Sequence, residues 1–378
     1  MKLIIFWFLF VALFHPLVIA QQNSANSIDL RQNVTLYSGP GMTYREIGTL
    51  SPADDLMLTI HERNALGNWV MLHITEGTTQ REGWVLTGYL DLPETVQFSE
   101  VPINPALSDA APYNVDDPRL ARLYTLPILP EMNENLLIVY VIGQMRGNRS
   151  NVITKIGDSL STSPVYLTPM PREDHRLGAY DFLADSIAYF GESLTRQSVA
   201  SRVGLNTYSI FDTMWSAPQL CEQDETPLNC EIRLARPGIA VILFGPNDMV
   251  SRMTVDEYYE QMRQIIETTL SQGVIPLLST FSTNPQSIHW DRAIDFNLAL
   301  VSIAEEYEVP IMNLWLAART LPNFGVARDN IHMQHGTYEY FNFTTGHEAT
   351  VGVSLQNLVA LGALDRLYTF LQMDSATN

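Results

Sequence analysis

The chain has 378 residues, 46% of them hydrophobic, which is enough for more than one domain and a large core. Its 41 acidic residues outnumber 22 basic ones for a formal net charge of −19, so nucleic acid and anionic lipid are disfavoured as partners by repulsion. No internal repeat or low-complexity tract is visible.

At the start, Lys2 precedes an apolar stretch that runs from Leu3 to Val11 and on to Ala20. Small residues at Val18 and Ala20 fit a cleavage site before Gln21, and His15-Pro16 interrupts the stretch. A removed signal peptide over 1–20 is therefore expected rather than a permanent span. No cysteine follows to accept a lipid. The mature chain is expected to be secreted or held in the cell envelope, with no stable membrane span.

From 28 to 92 short β-strands alternate with turns: Val34-Thr35-Leu36-Tyr37, the turn Ser38-Gly39-Pro40-Gly41, then Leu56 to Ile60. Gly67-Asn68-Trp69-Val70 and Gly83-Trp84-Val85 follow. This segment resembles a bacterial SH3-like domain, a small β-barrel, and the resemblance implies contact with cell wall or polysaccharide. Trp69 and Trp84 individually are expected to fill its core, since aromatics in small β domains mostly pack. Residues 93–132 are rich in proline (Pro102, Pro105, Pro112, Pro118, Pro127, Pro130), which suits an extended linker.

Beyond it, strands are expected at 152–156, 239–244, 274–278 and 309–312. Helices fit between them. Thr254 with Glu257 forms a capping box, and Tyr258, Met262, Ile265, Ile266 and Leu270 repeat at helical spacing until Gly273. Ile294, Leu298, Val301 and Ala304 make a second stripe, and 353–370 a closing helix. Such alternation demands a parallel sheet with helices on both faces, an α/β fold. Cys221 and Cys230 enclose a polar stretch in a chain that should leave the reducing cytosol. A disulfide is expected there, because no second cysteine pair or nearby histidine completes a metal site.

Three motifs carry the chemistry. Gly157-Asp158-Ser159-Leu160 follows one apolar run, Gly245-Pro246-Asn247-Asp248 follows another, and Asp329-Asn330-Ile331-His332 lies near the end. Together they supply a nucleophile, an oxyanion donor and a base with an orienting carboxylate, the parts needed for acyl transfer through a serine. All three fall at strand ends, where ligands gather in an open parallel sheet. His335 and His347 compete for the role of base, and the spacing to Asp329 selects His332. Asp158 is expected to hold the nucleophile loop and Asp248 to brace its own turn. Residue 161 is Ser161, so the G-x-S-x-G elbow of an α/β-hydrolase is not present.

In these motifs the chain, from about 133 to 374, resembles the SGNH hydrolases, also called the GDSL family. The resemblance implies a flavodoxin-like parallel sheet sandwiched by helices and a secreted serine esterase acting on carboxylic esters, O-acetyl groups on carbohydrate or short-chain lipid esters among them. It implies Ser159, His332 and Asp329 as catalytic residues and the Ser159 and Gly204 amides with the Asn247 side chain as oxyanion hole. No cofactor or metal is called for. Gly204 is the only glycine in the stretch 198–212 where the family's glycine block belongs. Between the base and the terminal helix the chain departs from the family by an enlarged loop, 333–343, with Tyr338, Tyr340, Phe341 and Phe343 as expected pocket walls. Two other classes stand beside this one. A hydrolase fold without activity could serve as a wall-binding protein, and Asp158, Asp248 and His332 could serve a metal phosphoesterase, although too few carboxylates cluster for two metals. Sequons occur at Asn33, Asn148 and Asn342.

Overall fold

The computed structural model describes residues 28–41, 44–93, 95–104, 119–168, 175–336 and 339–375; the expected signal peptide, Tyr338 and part of the proline-rich stretch lie outside them. Among the described residues no helix is long and apolar enough to cross a membrane.

Seven strands come first: β1 (Asp29–Leu30), β2 (Val34–Tyr37), β3 (Glu46–Leu50), β4 (Met57–Arg63), β5 (Trp69–Glu76), β6 (Thr79–Leu86) and β7 (Leu90–Asp91). Five form an antiparallel sheet in the order β3-β2-β6-β5-β4, and β1 pairs with β7. Side chains alternate across β5 and β6, so Val70, Leu72, Ile74 and Val85 enter a core with Leu36 and Leu50. The opposite phase carries Trp69, Trp84 and Leu86, and these pack on Ala349 from the far end of the chain. The two tryptophans are buried, but they do not fill the sheet's own core as expected: their phase puts them on its other face, in a core shared with the second half of the molecule.

The second half runs α1 (Arg119–Thr125), α2 (Asn135–Met145), β8 (Arg149–Gly157), α3 (Ala184–Phe190), α4 (Pro227–Ala235), β9 (Pro237–Leu243), α5 (Pro246–Val250), α6 (Val255–Ser271), β10 (Ile275–Ser279), α7 (Trp290–Tyr307), β11 (Ile311–Met312), α8 (Leu314–Ala318) and α9 (Gly352–Ser375). Its sheet is parallel throughout, in the order β11-β10-β9-β8. β9 is buried along its whole length because both phases are apolar. Ile239, Val241 and Leu243 face α3 and α9, while Ala240, Ile242 and the following Phe244 face α4, α6 and α7. The capping box at the start of α6 forms with both of its hydrogen bonds.

The proline-rich stretch differs from an extended linker. It contains α1, whose Leu120 and Leu123 are buried in the core against α7, with Arg119 paired to Asp291 and Asp295. Asn313 Nδ2 donates to the carbonyls of Leu123 and Leu126 at 2.7 and 2.9 Å and ties the segment down. Pro127 comes after the last residue of this helix and so does not break it. Cys221 and Cys230 are joined as a disulfide, and Cys230 sits within α4.

Removing a large aromatic from the shared core tests this packing. Trp69→Ala is expected to cost about 3–5 kcal/mol in urea unfolding, whereas Met57→Ala, on a side chain 55% exposed, should leave the midpoint unchanged.

Candidate active site

β8 and β9 end level with each other, with Gly157 opposite Leu243, so the loops that follow leave the sheet side by side. A side chain at Gly157 would come within 2.1 Å of Leu243 O and 2.3 Å of Ser161 Oγ, so only glycine allows this turn. A third loop lies against the same end. Gly157 N donates to Ala200 O and Arg202 N to Gly157 O, which places the stretch containing Gly204 beside the Gly157-Asp158-Ser159 turn. From below, buried Glu231 holds this stretch by accepting from Val199 N at 2.9 Å and by pairing with Arg196 and Thr154.

The distant third motif meets the first. His332 Nε2 lies 2.8 Å from Ser159 Oγ, and His332 Nδ1 lies 2.7 Å from Asp329 Oδ2. The main-chain amides of Ile331 and His332 both donate to Asp329 Oδ1 at 3.0 Å, so the carboxylate is fixed by its own turn before it touches the ring. Desolvation tends to raise the Asp329 carboxyl, but the bond from His332 and the two amides outweigh it and hold it below the usual range. An ionised Asp329 then favours the tautomer with hydrogen on Nδ1 and leaves Nε2 as an acceptor for the serine hydroxyl. His335 and His347 lie elsewhere: His335 sits edge-on to Tyr340, and His347 approaches Glu339 O.

Asn247 opens α5, and its Nδ2 donates one hydrogen to Leu205 O at 2.9 Å. The second hydrogen of that amide is available to a ligand. Gly204 is exposed with φ +83°, the left-handed region that glycine enters freely. Among the described residues neither the Ser159 nor the Gly204 main-chain N–H has a hydrogen-bond partner. Three N–H hydrogens without protein acceptors, on the Ser159 and Gly204 amides and the second hydrogen of Asn247 Nδ2, therefore belong to the three loops gathered at this end. The site is open, with the His332 and Asp329 side chains 46% and 49% exposed.

Beneath it lie two fully buried carboxyls. Asp158 Oδ1 accepts from Leu160 N at 2.9 Å and so holds the nucleophile turn, as expected. Asp248 does more than brace its own turn: Oδ1 accepts from Thr207 N and Thr207 Oγ1 at 2.9 and 2.7 Å and ties the glycine-bearing loop to α5. Burial pushes Asp158 up to about 7, the charge of Asp248 adds to this, and the amides of Leu160 and Asn247 oppose it. Asp248 is raised for the same first reason. Charge on either group is disfavoured by burial, and Asp158 therefore keeps its proton through the acid range. No local pattern signals that both are buried under one site, since they are far apart in sequence.

The enlarged loop after His332 contributes less than expected. Phe341 and Phe343 are buried in the core, with Phe343 edge-on to Tyr180, so neither can line a pocket. Asn342 between them is buried as well and accepts from Thr344 Oγ1 at 2.6 Å, so this stretch as a whole packs inward. Among the described residues one trio of potential metal ligands lies close together, Cys221, Glu225 and Cys230, and its two sulfurs form the disulfide.

No family model and no curated protein matches the chain in sequence. Solved structures do align with part of it. A GDSL-like lipase from Bacteroides thetaiotaomicron is 11% identical over 62% of this chain and 98% of its own, with a TM-score of 0.38. A lipase/acylhydrolase from Enterococcus faecalis is 18% identical, covering 56% of this chain and 94% of its own at a TM-score of 0.36. An acetylxylan esterase from Geobacillus stearothermophilus is 15% identical, with 55% and 93% covered and a TM-score of 0.35.

The buried carboxyls give a pH signature. A carboxyl raised in the fold above its unfolded value of about 4 stabilises while protonated. That contribution is whole at low pH and is lost as pH rises through about 7 for Asp158 and about 8 for Glu348, which is buried against Tyr180. Stability to urea is therefore expected to carry a component that falls from about pH 4 to pH 8. Asp158→Asn should make the fall shallower up to about pH 7, and Glu348→Gln should make it shallower over the same range and also remove its extension to about pH 8.

Proposed function

We propose that this chain is a serine esterase of the SGNH type, acting on carboxylic esters through an acyl-enzyme. The observation that carries the proposal is the unbroken line from Asp329 through His332 to Ser159, at 2.7 and 2.8 Å, formed by side chains from two distant motifs. Ser159 Oγ attacks the ester carbonyl as its proton passes to His332 Nε2. The carbonyl π pair moves onto oxygen, and the Ser159 and Gly204 amides with Asn247 Nδ2 receive that charge. The C–O bond to the alcohol then breaks, with the proton returned from His332 to the departing oxygen. Water repeats the sequence and releases the acid. Each step uses groups of the chain and water.

The open site bears on the substrate. A deep apolar tunnel for a long acyl chain would bury the base, whereas a half-exposed imidazole admits a small acyl group carried on a bulky alcohol. This favours O-acetyl groups on carbohydrate over long lipid esters. The N-terminal strands would be an SH3-like module that accompanies such an enzyme outside the cytosol. Its Trp69 and Trp84 face the catalytic half, so any contact with cell wall uses other surfaces of that module.

Purified protein is expected to hydrolyse p-nitrophenyl acetate. Ser159→Ala should abolish turnover while the far-UV spectrum is kept, and Asn247→Ala should lower kcat by about 10²–10³. Undiminished turnover in Ser159→Ala would refute the nucleophile. Acetate release from acetylated xylan but not from long-chain triglyceride is expected in a substrate panel, and the reverse preference would reject the carbohydrate ester.

A further inference from the structure

Helix α2 carries no charged residue in a chain of which 17% is charged. It lies across the amino ends of the parallel strands, opposite the candidate active site. Asn133 Nδ2, just before the helix, donates to Glu308 O ahead of β11, and Asn148 Nδ2, just after it, donates to Gln272 O and Gly273 O ahead of β10. At Gly143 a side chain would come within 2.1 Å of Gly273 O, so the helix is pressed onto this end as closely as glycine permits. Leu136 and Gly143 form its buried side. The outer side is apolar too: Ile138, Val141, Ile142 and Met145 are 60%, 52%, 41% and 84% exposed. Their spacing of three, four and seven makes one continuous stripe. A contiguous exposed patch of this kind marks an interaction surface more often than ordinary solvent-facing structure.

The charges at its ends identify the partner. Glu134 stands at the amino end and Arg146 at the carboxyl end, both exposed, and among the described residues neither has an ion-pair partner. The point midway between them is Tyr140, which lies within the span of the stripe, so a single two-fold axis can match stripe to stripe and acid to base. We propose that α2 is the centre of a two-fold interface with a second copy of this chain. The helices run antiparallel, and Glu134 of one copy faces Arg146 of the partner subunit. Long-range repulsion between two chains of net charge −19 makes an uncharged patch with complementary ends the favourable place for them to meet. A lipid surface suits the patch less well, because Glu134 and Glu308 at one end would face the headgroups. With α2 buried in this way, both catalytic ends point away from the interface and stay open.

Sedimentation velocity from about 1 to 100 µM tests the interface. Wild-type protein is expected to pass from monomer to dimer within this range, and Ile138→Glu with Met145→Glu should hold it monomeric with an unchanged far-UV spectrum. Glu134→Arg and Arg146→Glu should each weaken the dimer by about tenfold or more, and the two together should restore it. The proposal is overturned by a wild-type chain that stays monomeric throughout, by a charge-swapped double variant no better than either single one, or by a monomer that binds phosphatidylcholine vesicles through Met145.

Discussion

Gly157 and Leu243 lie opposite each other at the ends of two parallel strands, and the candidate site depends on that register. Because the strands stop level, the Gly-Asp-Ser turn and the Gly-Pro-Asn-Asp turn emerge as neighbours. Ser159 and Asn247 are thereby set on one rim, and Asp158 and Asp248 are set together below it. A slip of one residue would send these side chains to opposite faces. The absence of a side chain at Gly157 keeps the register tight, since the space a Cβ would need is already taken by Leu243 O and Ser161.

The two layers of the site have opposite electrostatic character. Above, Asp329 and His332 are half in water, and their pairing is held by short main-chain bonds within one turn. Below, Asp158 and Asp248 are cut off from water and serve as acceptors for amides that order the loops. Charge is thus used where solvent can respond to it, and neutral or half-neutral carboxyls are used where it cannot. The same division runs through the N-terminal sheet. One of its faces closes on its own core, and the other gives up Trp69 and Trp84 to a joint core with the loop that carries Ala349.

Much of this was legible in the residues. β9 announces itself because seven consecutive buried positions leave no polar phase, and α6 because Thr254 and Glu257 cap it before a helical stripe. The three-residue step from Asp329 to His332 is visible in the sequence too, and it lets the carboxylate bond both the turn and the ring. Other features were hidden. Pro118 and Pro127 masked α1, although Leu120 and Leu123 already carried its inward stripe. Phe341 and Phe343 lie close to His332 in sequence, but the whole stretch 341–343 is buried and carries them into the core. The burial of Asp158 and Asp248 beneath one site arises only when two distant strands align, and no local pattern encodes that.

The central claim is that Ser159 is made nucleophilic by His332. The most direct measurement is reaction with a fluorophosphonate followed by peptide mass spectrometry, which reads the activated residue itself. A single adduct is expected on Ser159, and it should be lost when His332 is replaced by alanine while the fold is kept. An adduct on another serine, or undiminished labelling of Ser159 without His332, would contradict the account.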